Sequence, residues 1–126
     1  MDNSWLTNKA IEAAKKSSYK VRMGAVIFRG KRLISVGYNH PMKAAKHLHP
    51  RFQKWKGSIH AEVDAILKAK TDLRRCNILV VRVNRLGEIR TSKPCDRCFL
   101  YLKLVGIKKV YHTVSGFNYY LEETIL

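Results

Sequence analysis

The sequence has few acidic residues and no long apolar run. Asp and Glu total 9 against 25 Lys and Arg, so the formal net charge is +16, which favours an acidic binding partner. No run of 18 apolar residues is present, which excludes a membrane-spanning helix. The first residues, Met1 to Ser4, lack the basic and then apolar pattern of a signal peptide. The sequence therefore predicts a cytoplasmic protein that does not associate with membranes.

Proline, glycine and cysteine are also scarce, with 3, 7 and 3 residues. Together with 46% hydrophobic residues, this composition excludes a disordered or collagen-like chain. The 126 residues contain no repeat or linker, which predicts a single domain over residues 1–126. Cys95 and Cys98 are separated by two residues, a spacing that suggests metal or redox chemistry in a reducing compartment.

The spacing of apolar residues predicts alternating helices and strands. Helical spacing occurs over residues 4–17, 61–70 and 95–105, and β-rich runs cover residues 21–28, 33–38, 77–83 and 107–112. Residues 40–58 are predicted to be a long functional loop, and a helix is one interpretation of the tail over residues 119–126. We expect an α/β fold of three layers, α/β/α, whose mixed sheet has an antiparallel hairpin followed by parallel strands.

Two short motifs begin the second and third predicted helices. They are His60-Ala61-Glu62 and Pro94-Cys95-Asp96-Arg97-Cys98. Cysteines three apart at a helix start point the same way, and the helix dipole there favours thiolates. With His60 they form a three-ligand Zn²⁺ site, which leaves the fourth position for an activated water and so indicates catalysis. Glu62 lies close enough to that water to shuttle its protons.

Other interpretations of these residues stay open. Cys76 could close the zinc site as a fourth ligand, which would make the zinc structural. A nucleic-acid-binding domain whose zinc only holds the fold is the alternative from another class of function. Because Cys76 opens a buried strand, a core cysteine is the favoured interpretation. The remaining histidines, His40, His47, His49 and His112, do not lie at ligand spacing, and no metal role is predicted for them.

A histidine, any residue and a glutamate, followed later by Pro-Cys-x-x-Cys, is the signature of the zinc nucleobase deaminases. Residues 5–113 resemble the cytidine and deoxycytidylate deaminase superfamily, because strands at residues 24–27 and 35–39 precede the His60 and Cys95 helices in the family's order. The resemblance implies the cytidine deaminase-like fold and a hydrolytic reaction that converts cytosine to uracil. It also implies that Glu62 moves protons to the ring and to the departing amine.

The resemblance further implies substrate contacts and a branch of the family. Asn39 would contact the sugar, the backbone near Ala61 would hold the base edge, Pro94 would shape the pocket, and the chain would form a homo-oligomer. The Tyr38-Asn39 pair and residues 106–111 look similar to deoxycytidylate-type and phage or viral deaminases. Ser92 and Lys93 differ from the residues usual in polynucleotide cytosine deaminases and in tRNA adenosine deaminases, so neither branch is indicated. Adenosine-to-inosine deamination in tRNA is kept as an alternative.

A basic stretch precedes the His60 motif. Between Glu12 and Glu62 there are 12 Lys and Arg and no acidic residue. Cations alternate with aromatic residues in its second half, which is typical of single-strand binding. The predicted nucleic-acid contacts are Lys43, Lys46, Arg51, Phe52, Lys54, Trp55 and Lys56. The substrate is therefore a cytosine nucleotide by resemblance, or single-stranded DNA or RNA by charge. The two aromatic residues equally fit an anchor for the loop.

Overall fold

The molecule is built around a mixed β-sheet with helices on both of its faces. The computed structural model describes residues 4–41, 58–115 and 119–126. Its helices are α1 (Ser4–Ala14), α2 (Ala61–Ala69) and α3 (Asp96–Leu104). Its strands are β1 (Arg22–Arg29), β2 (Arg32–Tyr38), β3 (His40–Pro41), β4 (Ser58–Ile59), β5 (Asn77–Val83), β6 (Ile89–Arg90), β7 (Lys109–Val114) and β8 (Tyr120–Ile125).

The main sheet has the strand order β2-β1-β5-β7-β8, with β6 paired to β5. Strands β1 and β2 form an antiparallel hairpin, and β5 runs antiparallel to β1. Strands β5 and β7 are parallel because α3 lies in the connection between them. The predicted α/β fold, with a hairpin followed by a parallel pair, is confirmed.

Alternate residues of the central strands face opposite helical layers. On one face, Val26 and Phe28 join Leu6 and Ala10 of α1 in a buried cluster. On the other face, a second cluster contains Ala25 and Ile27 of β1, Ala61 and Ala65 of α2, and Leu102 of α3. Residues 25–28 are therefore buried on both sides, which explains their unbroken apolar run.

Two glycines let helices approach the hairpin closely. A Cβ at Gly24 would overlap the backbone of Ala10 and Ala14 in α1. A Cβ at Gly37 would overlap the backbone of Ala61 and Ala65 in α2. The position of α2 over β2 consequently depends on the missing side chain at Gly37.

The tail and the long loop differ from the sequence prediction in part. A helical tail over residues 119–126 is wrong, because β8 pairs antiparallel with β7 along its whole length. The ends of the predicted loop, β3 and β4, pair with each other as a separate two-stranded sheet. Residues 42–57 lie outside the described residues. No helix within residues 4–41, 58–115 and 119–126 has the length and apolarity to span a membrane.

Candidate functional site

The predicted metal-binding residues lie at the starts of α2 and α3. His60 is the N-cap of α2 and Cys95 is the N-cap of α3, both with extended backbone conformations. The carbonyl oxygen of each cap accepts the first hydrogen bond of its helix, from Asp64 N–H and Phe99 N–H respectively. Because both helices begin at the same end of the sheet, their first turns converge on one point.

Three donor atoms meet at that point. The Nδ1 atom of His60 lies 3.3 Å from Cys98 Sγ and 3.9 Å from Cys95 Sγ. The ligand atoms of the three residues all lie within 4.8 Å of one another. One imidazole nitrogen and two thiols are the donor set that zinc prefers, so the three residues could hold a zinc ion. Cys76 is not part of this group and lies in the buried cluster between the sheet and α2.

The hydrogen bonds within the group shift its pKa values. The pKa of the Cys95 thiol is lowered to about 4. The largest cause is the hydrogen bond from Cys98, and the next is the hydrogen bond with His60. The same hydrogen bond with Cys95, together with burial, raises the pKa of the Cys98 thiol. The hydrogen bond with Cys95 also raises the pKa of the His60 imidazole. The cluster thus already favours a thiolate at Cys95, the ligand form that a metal requires.

Glu62 lies in the first turn of α2, and only 3% of its surface is exposed. Burial raises the pKa of its carboxyl group, because water no longer stabilises the charged form. It lines the same pocket as His60 and Cys95. A carboxyl group in this position can exchange protons with a molecule bound beside the metal-binding residues.

The pocket has a volume of about 260 Å³. This volume lies just below the usual range of about 300–1,000 Å³ for small-molecule sites, so the pocket is suited to one small ring rather than a large ligand. Most of the lining surface is apolar, although several of the lining residues carry polar or charged groups. They are Tyr19, Val21, Met23, Asn39, His60, Ala61, Glu62, Lys93, Pro94 and Cys95.

The three predicted substrate-contacting residues, Asn39, Ala61 and Pro94, all lie in the pocket wall. Asn39 also stabilises the wall itself. Its Oδ1 accepts the N–H of Met23 at 2.8 Å, and its Nδ2 donates to the carbonyl of Val21 at 2.7 Å. The sugar contact of Asn39 and the base contact near Ala61 stay predictions.

Two buried residues that support the site were missed from the sequence. Asp64 accepts the N–H of Tyr38 at 3.0 Å, contacts His40 Nε2 at 2.8 Å and pairs with Lys68, which connects α2 to the end of β2. Ser92 donates from its hydroxyl to the carbonyl of Val80 at 2.7 Å and accepts the N–H of Thr113 at 2.8 Å. The only feature of the sequence that could have indicated a role for Asp64 is the pair of acidic residues in the first turn of α2. No feature of the sequence indicated the structural role of Ser92.

The remaining candidates separate into two groups. The predicted nucleic-acid contacts, Lys43, Lys46, Arg51, Phe52, Lys54, Trp55 and Lys56, lie outside the described residues, as do His47 and His49. His40 contacts Asp64, and His112 is buried in β7. Neither histidine belongs to the metal-binding group among the residues that the structure describes.

Known proteins resemble the chain in both sequence and fold. Residues 1–114 match the family described as the cytidine and deoxycytidylate deaminase zinc-binding region. An uncharacterized deaminase in the luxG 3′ region of Aliivibrio fischeri is 37% identical over 93 residues, which cover 71% of this chain. The match spans 56% of that relative, so this chain corresponds to little more than half of its length.

Solved structures of similar fold include two deaminases. A cytidine deaminase from Burkholderia pseudomallei superposes with a TM-score of 0.67 at 17% identity, covering 97% of this chain and 92% of its own. A dCMP deaminase from the cyanophage S-TIM5 superposes with a TM-score of 0.57 at 17% identity, covering 87% and 82%. These similarities establish the cytidine deaminase-like fold.

Proposed function

The chain belongs to the cytidine and deoxycytidylate deaminase family, and on that premise we propose that it hydrolyses cytosine to uracil and ammonia in a nucleotide of the deoxycytidylate type. The observation that carries the proposal is the convergence of His60, Cys95 and Cys98 within 4.8 Å, beside a pocket that Glu62 also lines. A structural zinc site would need no such pocket next to its ligands.

The family is zinc-binding, and His60, Cys95 and Cys98 would hold the ion through Nδ1 and two Sγ atoms. Zinc with three protein ligands supplies Lewis-acid activation of water near neutral pH. The protein contributes the position of these ligands, since both helix starts are tied to the same sheet. Cys76 is removed from the group by its place in the core, which supports an open site.

Glu62 handles the protons of the reaction. Its buried carboxylate takes a proton from the attacking water and delivers it to the ring nitrogen next to C4. It then takes the proton of the hydroxyl group now on C4 and gives it to the departing amine, so that the C4–N bond breaks, ammonia leaves and the C4 carbonyl of uracil forms. Burial favours this exchange because the protonated and charged forms of Glu62 become closer in free energy.

The pocket walls hold the base. Val21, Met23 and Pro94 offer apolar surface to the flat ring, and Asn39 lies among them with its amide fixed by two hydrogen bonds. Fixed polar groups on apolar walls orient a ligand without a large entropic cost on binding.

The proposal is tested with Glu62→Gln, which keeps the shape of the side chain but removes its ability to accept a proton. We expect uracil formation from deoxycytidylate to fall at least about 100-fold, while the zinc content of the purified protein is unchanged. Glu12→Gln, at an exposed carboxylate of α1, is the matched control and should retain wild-type turnover. Undiminished turnover by Glu62→Gln would contradict the proposal.

Deamination of cytosine in single-stranded DNA or RNA is the second candidate, and the charge of +16 favours it. A free nucleotide needs few cations, whereas a polynucleotide contacts many and becomes strongly dependent on salt. Deoxycytidylate, cytidine and cytosine-bearing single strands should therefore be compared side by side at two salt concentrations. Turnover confined to the strands, and falling steeply with salt, would support the second candidate over the first.

A further inference from the structure

One cation belongs to the wall of the pocket within the described part of the chain. Lys93 is exposed and lines the same pocket as His60, Glu62 and Cys95. It also lines a neighbouring groove formed by α3 and the end of β8. Lys93 therefore lies between the pocket and this groove, where its exposed side chain is available to a group that extends out of the pocket.

The neighbours of Lys93 determine where it stands. Ser92 has 2% of its surface exposed, and its N–H donates to the carbonyl of Thr113 at 2.9 Å. Its hydroxyl bonds both Val80 in β5 and Thr113 in β7. Pro94, on the other side, is buried and has a fixed backbone angle. Because both neighbours are held inside, the backbone at Lys93 is fixed to the sheet and its side chain lies on the outer surface.

We propose that Lys93 is a specificity-determining residue that binds the phosphate group esterified to the sugar of the substrate. The inference rests on the proposed function, which places a cytosine ring beside Glu62 and the metal-binding residues. A ring in that position directs its sugar and phosphate towards the pocket mouth.

The charges around the pocket support an anionic ligand. The apolar side chains of Val21, Met23 and Pro94 cannot bind a phosphate, and the side-chain amide of Asn39 already bonds the backbone of Val21 and Met23. Glu62 would repel an anion when ionised. Among the described residues, Lys93 makes no ion pair that would compete for its ammonium group. A lysine in this position acts as a point charge for a phosphate.

The experiment compares substrates that differ only in the phosphate. Zinc-loaded wild type, Lys93→Gln and Lys31→Gln are assayed with deoxycytidylate, deoxycytidine and a single-stranded oligonucleotide that contains one cytosine. Lys31 is an exposed lysine in the turn between β1 and β2 and serves as the charge-matched control. We expect Lys93→Gln to raise the KM for deoxycytidylate about 10-fold or more, with the KM for deoxycytidine unchanged.

The oligonucleotide identifies the source of the phosphate. An effect of Lys93→Gln on deoxycytidylate alone assigns the subsite to a phosphate monoester, and an effect on the oligonucleotide alone assigns it to a phosphodiester. An equal rise in KM for deoxycytidine, or KM values indistinguishable from those of Lys31→Gln, would overturn the inference.

Direct binding separates this inference from the proposed function. If wild type turns over none of the three substrates, the proposed function fails. Equilibrium dialysis of deoxycytidylate and deoxycytidine against wild type and Lys93→Gln then tests the subsite by itself. Tighter binding of deoxycytidylate that is lost in Lys93→Gln would support the subsite, and equal binding of the two ligands by wild type would overturn it.

Discussion

His112 is a buried titratable residue of β7 that the proposed reaction does not use. Only 1% of its surface is exposed, and its Nδ1 has no hydrogen-bond partner among the described residues. The pKa of His112 is lowered, mainly because the imidazole is buried. The negative charge of Glu122 raises this pKa in part, and the positive charge of Lys93 lowers it further. A neutral imidazole is therefore favoured in the folded protein.

This lowered pKa predicts a loss of stability in mild acid. Below about pH 6.5 the unfolded chain protonates this histidine before the folded protein does, so the free energy of unfolding falls as pH falls through the folded pKa. We expect His112→Gln to show a shallower decline than wild type in urea unfolding at pH 7, 6 and 5. Any release of metal in acid affects both proteins alike. If the free energy of unfolding declines with pH equally in both, His112 does not contribute to the loss of stability.

The sequence predicted the residues whose chemistry is local and missed those that act through distant partners. His60, Glu62, Cys95 and Cys98 were predicted because their spacing at two helix starts carries the information by itself. Ser92 acts through Val80 and Thr113, which lie 12 and 21 positions away. A buried serine becomes recognisable only when the strands that surround it are placed.

Strand β8 shows the same limit for an element. Its residues Leu121, Glu122 and Glu123 fit a helix as well as a strand, and they alternate poorly in burial. The exposed edge of β7 decides the outcome, because β8 pairs with it from Lys109 to Val114. Propensity is a weak guide where an unpaired strand edge supplies hydrogen bonds. The helices and the other long strands were predicted because their apolar spacing matches the buried faces that they form.

The packing of α2 on β2 provides a prediction about an element. Gly37→Ala places a methyl group against the backbone of Ala61 and Ala65, so we expect it to destabilise the fold by about 1–3 kcal/mol. Since α2 begins at His60, displacement of the helix should also weaken zinc binding. Urea unfolding and a competing chelator measure the two effects.

Gly24→Ala is the matched control for this prediction. It creates the same overlap against α1, on the opposite face of the sheet. We expect a similar loss of stability with zinc affinity unchanged. Equal zinc affinities in the two variants would contradict a link between the close approach of α2 and the metal-binding residues.

At the scale of the whole molecule, the sheet joins two helical layers that share the strands β1 and β5. Helix α1 packs on one face and α2 with α3 on the other, and each face has its own buried cluster. Because the central strands contribute to both clusters, neither layer can separate without exposing the other face of the same strands. We propose that residues 1–126 unfold as one domain, and the homo-oligomer implied by the family resemblance stays a prediction.

Removal of the metal tests how far the whole fold depends on the site. Of the three metal-binding residues, Cys98 alone belongs to a buried apolar cluster, with Ile59, Val63 and Tyr101, and the two large clusters contain none of them. We therefore expect a chelator to lower the Tm. Where zinc was present at 100 times its Kd, its removal should lower the free energy of unfolding by about 2.7 kcal/mol. Far-ultraviolet circular dichroism at room temperature should be unchanged.

Variants of two cysteines complete this test. Cys95→Ser should show the lower Tm from the start and no further shift with chelator, since it lacks one of the three donor atoms. Cys76→Ser should respond to chelator as wild type does, because Cys76 lies in the core away from the group. Two results together would instead indicate a closed, structural zinc site. The wild type would unfold when chelator is added at room temperature, and chelator would leave the Tm of Cys76→Ser unchanged, as it does for Cys95→Ser. Retention of the fold after metal removal, with chelator sensitivity kept in Cys76→Ser, would show that the protein holds the three ligand residues in place without a fourth ligand from Cys76.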